Sequence, residues 1–181
     1  MLPIILFVTF SAIFFFYSTP EQVIDWLGVS NAYLLIFILA FIGGLTIFSG
    51  VPYHLVMITM ALGGLNPFIL GLSASIGVII GDSTSYYVGY QGETIVPDRF
   101  QKFFQKINDF SSTHPKALPL FGFFYGSLVP FSNDFITISA GLAHYPFWRI
   151  MIPLAIGNFI FNTSLAFLAI YAYNFLQGIF F

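Results

Sequence analysis

Ser127-Leu128-Val129-Pro130-Phe131-Ser132-Asn133-Asp134 places a proline, three polar side chains and an acid in the middle of a stretch, 117–143, that is otherwise almost wholly apolar or small. An earlier stretch, Ser49-Gly50-Val51-Pro52-Tyr53, breaks an apolar run in the same manner, and the two continue in parallel. Ile58-Thr59-Met60 matches Ile136-Thr137-Ile138. Gly63-Gly64-Leu65-Asn66-Pro67-Phe68 matches Gly141-Leu142-Ala143-His144-Tyr145-Pro146-Phe147 with one inserted residue. The first break is followed by only about a dozen residues before the next breaker, too few to cross a bilayer as a helix. A broken helix leaves backbone N–H and C=O groups open, and hydrocarbon offers them no partner. They must be buried in protein, line a water-filled cavity or hold a ligand. Interrupted helices at corresponding places in two halves predict two re-entrant hairpins, 49–66 and 117–145, entering from opposite faces and related by an inverted repeat.

Composition agrees. Of 181 residues, 58% are hydrophobic and 7% are charged. A soluble domain carries about a quarter charged residues to cover its outside, so the solvent for most of this chain is lipid. Twenty-five Phe, ten Tyr and two Trp suit lipid-facing positions and interfacial belts. The lack of cysteine excludes disulfides, thiolate metal sites and cysteine nucleophiles. A net charge of −2 gives no sign of a nucleic-acid partner.

The expected fold is an all-α integral membrane protein. A single membrane domain, 1–181, holds about four spanning helices plus the two hairpins. Residues 1–30 form an N-terminal helix and an interfacial segment. Residues 1–17 lack a basic leader and a cleavage site and read as a retained span, and Thr19-Pro20-Glu21 reads as a cap, a first helical residue and a first-turn acid. Residues 31–90 form the first repeat and 117–181 the second, in which Pro153 and Gly157 offer places for a kink. The connector 91–116 carries Phe100, Phe103, Phe104, Ile107 and Phe110 at helical spacing, so an amphipathic surface helix is expected near 94–112. Arg99, Lys102, Lys106 and Lys116 place that connector in the cytoplasm and both termini outside.

Two acids fall in the wrong solvent. Asp82 lies within the 67–90 span and Asp134 in the second break. An ionised acid near the bilayer centre costs at least roughly 2.5–3.5 kcal/mol, and such residues mark ion, proton or substrate routes. The plainer readings are a helix cap for Asp134 and a position near the aqueous end of its helix for Asp82. His54, just after the first break, stands opposite Ser132–Asp134 in the repeat and is a candidate donor to phosphate. Ser127, Pro130, Ser132, Asn133 and Pro52, with the open helix N-termini, are a lining suited to an anionic head group. Asp82 and Asp134 are the candidate proton or ion carriers. No spacing marks a metal site, and no cofactor is implied.

Tyr125-Gly126-Ser127-Leu128-Val129-Pro130-Phe131-Ser132-Asn133-Asp134, continued by Ala140-Gly141-Leu142-Ala143 and Pro146-Phe147-Trp148-Arg149, resembles the signature of the DedA/VTT-domain (SNARE-associated Golgi protein) membrane family. Gly77, Gly81-Asp82, Tyr86, Gly89 and Gly92 are similar to that family's helix after the first hairpin. The resemblance covers about 44–162. It implies two opposed re-entrant hairpins and lipid translocation: bacterial members recycle undecaprenyl phosphate and other lipid carriers, often with dependence on the proton-motive force, and eukaryotic relatives scramble phospholipids. Pro52-Tyr53-His54 stands where many bacterial members have Pro-Gly-Glu, and Ser127 and Asn133 stand where they have Arg. Substrate and coupling are therefore left open.

The expected function is a non-enzymatic lipid flippase or scramblase in a bacterial or archaeal plasma membrane. It would act on polyprenyl phosphate or phospholipid, with or without proton coupling. A proton- or cation-coupled solute transporter and a membrane scaffold remain as alternatives. Membrane lipids are the expected partners, no nucleic acid is expected, and homo-oligomerisation is left open.

Overall fold

Pro67–Gly92 turns Gly71, Ala74, Ser75, Gly77, Gly81, Asp82 and Ser85 inward together with Leu70 and Val78, and Ile69, Leu72, Ile76 and Ile80 outward, and this division sets how the helices assemble. A computed structural model of the chain describes residues 20–45, 53–92, 113–114, 116–129 and 132–180. Seven helices make up nearly all of the described residues: α1 (Pro20–Leu27), α2 (Val29–Leu45), α3 (Tyr53–Leu62), α4 (Pro67–Gly92), α5 (Ala117–Leu128), α6 (Asp134–Leu142) and α7 (Phe147–Phe180). No strand occurs among them. The expected first span at 1–17, the first break with Pro52, the second-break residue Pro130 and the amphipathic helix near 94–112 lie outside the described residues.

Helix α4 buries Gly71, Ala74, Ser75, Gly77, Val78, Gly81, Asp82, Ser85 and Gly89, and exposes Ile69, Leu72, Ile76 and Ile80. Helix α2 does likewise, with Ala32, Ile36, Ala40 and Gly44 inside and Leu34, Ile38 and Ile42 outside. Small residues inside and branched apolar ones outside is the arrangement of helices packing in lipid, where close backbone approach replaces the hydrophobic drive. By length and composition α4 and α7 are each able to cross a membrane. Helices α2, α3 and α5 are apolar but shorter, at 17, 10 and 12 residues. Pro153 does not end α7, which runs through it as one helix of 34 residues.

The crossings rest on glycine. A Cβ on Gly77 of α4 would run into the Phe37 carbonyl oxygen of α2, and one on Gly81 would lie 2.6 Å from the Gly44 carbonyl carbon. Helix α5 crosses α7 in the same way, Gly157 against the Phe123 oxygen and Gly126 against Leu154.

Both short helices end in the same turn. After α3, Gly64 sits at φ +93°, with Leu65 N donating to Met60 O and Gly64 N to Ala61 O. After α6, His144 sits at φ +51°, with Tyr145 N donating to Ala140 O and His144 N to Gly141 O. These are paired 6→1 and 5→2 bonds around a left-handed residue, which close a helix C-terminus. Asn66 then caps α4, its Oδ1 accepting from Phe68 N at 2.9 Å, with Pro67 as the first helical residue. Pro146 precedes α7 in the corresponding place. Each short helix packs chiefly on the long helix of the other unit: α3 on α7, and α6 on α4.

Gly77→Val is expected to cost roughly 1–3 kcal/mol or more, because backbone rather than a yielding side chain occupies the space its methyls need. Gly178→Ala, where nothing lies within 4 Å, is the control and should leave the melting temperature unchanged. Thermal unfolding of both variants in detergent checks this.

Candidate functional site

Helix α6 begins inside the assembly, and its first turn supplies the site. Asn133 and Asp134 are consecutive, so their side chains leave the helix start in different directions and reach different residues of α4. Asn133 Nδ2 donates to Asp82 Oδ2 at 2.7 Å. Asp134 Oδ1 accepts from Ser85 Oγ at 2.5 Å, and its Oδ2 accepts from Ser132 Oγ at 2.5 Å. Asp82 and Ser85 lie three residues apart, one helical turn, and so present their side chains to the same neighbour. Gly89 and Gly141 make the approach of α4 to α6 close enough: a Cβ on Gly89 would strike Ile138, and one on Gly141 the Tyr86 oxygen.

The carboxylates are deeply placed. Asp82 is 2% exposed and Asp134 4%. A buried charge is tolerated only with full hydrogen bonding, and among the described residues the hydrogen bonds to the two carboxylates come from neutral amides and hydroxyls. Asp82 is thus enclosed by protein rather than exposed on its helix. Nor does the Asp134 carboxylate serve as a cap. Ser132 takes that place, its Oγ accepting from Asp134 N at 3.2 Å, which leaves the carboxylate turned towards α4.

A second set of polar residues extends the site along α7. Asn133 Nδ2 also donates to Asn158 Oδ1 at 3.3 Å. One turn further, Asn162 Oδ1 accepts from Tyr53 OH at 3.3 Å, and its Nδ2 donates to Ser75 Oγ at 3.4 Å. Thr163, next to it, lies against Gly71 of α4. All of these except Tyr53 are buried.

The structure brings together Asp82, Asp134, Ser132 and Asn133. Ser127 turns its hydroxyl back to the Phe123 carbonyl at 2.7 Å, although its backbone lies beside Gly157 of α7. His54 packs its ring on Tyr53 and edge-on to Phe161, making ring contacts rather than joining the acid pair. Pro52 and Pro130 lie outside the described residues. Sequence reasoning did not single out Tyr53, Ser75, Ser85, Asn158, Asn162 and Thr163. A signal existed: Asn158 and Asn162 are four apart in an apolar span, and Ser75, Asp82 and Ser85 recur at seven and three, so each set keeps one helix face.

Among the described residues no group of three or more His, Cys, Asp or Glu is placed to hold a metal ion. What the arrangement offers is two acids and a ring of neutral donors and acceptors between three helices.

Residues 51–171, two thirds of the chain, match the family model described as the VTT domain. No curated protein and no solved structure matches the chain.

Asn133→Ala removes the donor to Asp82 and is expected to destabilise the protein by roughly 1–3 kcal/mol, the cost of leaving a buried acceptor unpaired. Asp82→Asn keeps a polar group of the same shape and should cost much less. Melting temperatures of the two variants in detergent decide it, and equal losses would contradict the pairing.

Proposed function

This chain belongs to the VTT-domain family, and on that premise we propose that it moves a lipid across the membrane, as a flippase or scramblase for a polyprenyl phosphate or a phospholipid. The observation that carries the reading is the pair Asp82 and Asp134, buried within the assembly and, among the described residues, held by neutral donors. Acids so placed mark ion, proton or substrate routes. Several features support two re-entrant hairpins related by inversion. Helices α3 and α6 have 10 and 9 residues, about 15 and 14 Å of rise, which is half of a hydrocarbon core about 30 Å thick. Each ends in the same left-handed turn, precedes a long helix with a proline at or just before its first residue, and lies on the long helix of the other unit. On this reading the chain is a multi-pass protein of a bacterial or archaeal plasma membrane.

The head group is received where α6 starts, by Ser132, Asn133 and the positive end of the helix. Coupling follows from competition. Ser132 and Asn133 each already serve a carboxylate. A phosphate that takes these donors displaces the carboxylate, and a displaced, buried carboxylate must take up a proton or a cation. No covalent chemistry is part of this reading, and membrane lipid is the partner.

Reconstitution into liposomes tests the proposal, with fluorescent phospholipid or fluorescent polyprenyl phosphate in one leaflet. The wild-type chain should speed exchange of at least one of them, and Asp134→Asn should slow it about tenfold or more, since it keeps the shape and removes the ionisable group. No acceleration over empty liposomes for either lipid class would end the proposal. Loss of ion-driven uptake of a water-soluble solute in Asp134→Asn, with lipid distribution unchanged, would assign the acids to solute transport instead.

A further inference from the structure

Hydroxyls in membrane helices ordinarily satisfy themselves by donating to the carbonyl one turn back. Thr59, Ser75, Ser83, Thr84 and Ser127 do so, with oxygen–oxygen distances of 2.6–3.0 Å. Thr163 does not. Its Oγ1 is buried and has no hydrogen-bond partner among the described residues, and the same holds for Asn158 Nδ2. Both residues are 7% exposed. An orphaned donor at this depth costs about 1–3 kcal/mol unless water or a ligand meets it.

These two atoms lie on one line of polar groups. From Thr163 beside Gly71, the line passes through Ser75 and Asn162 with Tyr53, then Asn158, then Asn133 with Asp82, and ends at Ser85 with Asp134. Gly71 and Ser85 are 14 residues apart on one helix, so the line covers about 21 Å of a hydrocarbon core about 30 Å thick. Its two ends are built differently. At the acids the joints are 2.5–2.7 Å. Along α7 they lengthen to 3.3, 3.3 and 3.4 Å, beyond the usual length of a direct hydroxyl or amide bond. Loose joints and two buried, unmet polar groups on the same line are the partners that a row of bound waters requires.

We propose that α4 and α7 enclose a hydrated polar track, with waters held by Asn158 and Thr163, that connects Asp82 to the part of the protein where Tyr53 stands. Ser132 is exposed at the other end of the line, so Asp82 is reached by water along two separate routes, one past Asp134 and one along α7. The track goes beyond the lipid reading and stands without it, because its test reads water and not lipid.

The chain has no cysteine, so single-cysteine variants of the full chain in liposomes report hydration directly. A thiol reacts as thiolate, which water favours and apolar burial suppresses, so Ser75→Cys and Thr163→Cys should react with a small water-soluble thiol reagent about tenfold faster than Ala74→Cys. Ala74 is fully buried on the same helix but outside the polar line. Rates no faster than that of Ala74→Cys would overturn the proposal. Thr163→Val gives a second, near-isosteric reading. Removing a hydroxyl that holds a water should lower the melting temperature, and a raised melting temperature would show that the hydroxyl meets no ligand and overturn the track at that point.

Discussion

A carboxylate placed among apolar helices has to be met by hydrogen-bond donors, and the bond from Asn133 Nδ2 to Asp82 Oδ2 is where this protein meets that demand. Much else is arranged around it. For Asn133 to reach α4, α6 must start within the assembly rather than at its edge, and so the apolar run must break just before it. For α6 to lie close enough, Gly89 and Gly141 must face each other, because any side chain at either would strike backbone. The same amide nitrogen also reaches Asn158 of α7. One side chain thus ties the broken helix to both long ones.

The interlocking of the two units follows from the same constraint. Each short helix, of 10 and 9 residues, is too short to bury its own surface and rests on a long one. Helix α6 uses α4, and α3 uses α7. The long helices set small and polar residues among the larger apolar ones of their buried faces, Ala74 and Ser75 beside Leu70 in α4 and Asn158 and Asn162 beside Leu154 in α7, while Ile76, Ile80, Ile152 and Ile156 are exposed. Buried small residues let the backbones touch and leave room for polar groups between them. That is how a fold with so few charges keeps a polar line through its centre.

Much of this was legible in the sequence for local reasons. Pro20, Pro67 and Pro146 mark helix starts because proline suits the first turn, and Gly64 marks a helix end because a left-handed residue is required there. His144 fills the corresponding place although it carries a side chain, so the match was visible only through the repeat. Asp82 and Asp134 stood out because charge in an apolar run is costly. Ser75, Asn158, Asn162 and Thr163 did not, since a neutral polar residue in a helix can satisfy itself locally. Only the pairing of α4 with α7 shows that these face one another. Pro153 could have ended its helix, but α7 continues through it.

The bond between Asn133 and Asp82 joins residues 51 apart in the chain. A ribosome adding about 5–20 residues per second makes Asp82 several seconds before its partner exists. For that interval the first long helix carries an acid whose amide partner has not yet been made. The two halves are thus bound together by the order of their synthesis, and a chain cut short before residue 133 would lack the donor that meets Asp82.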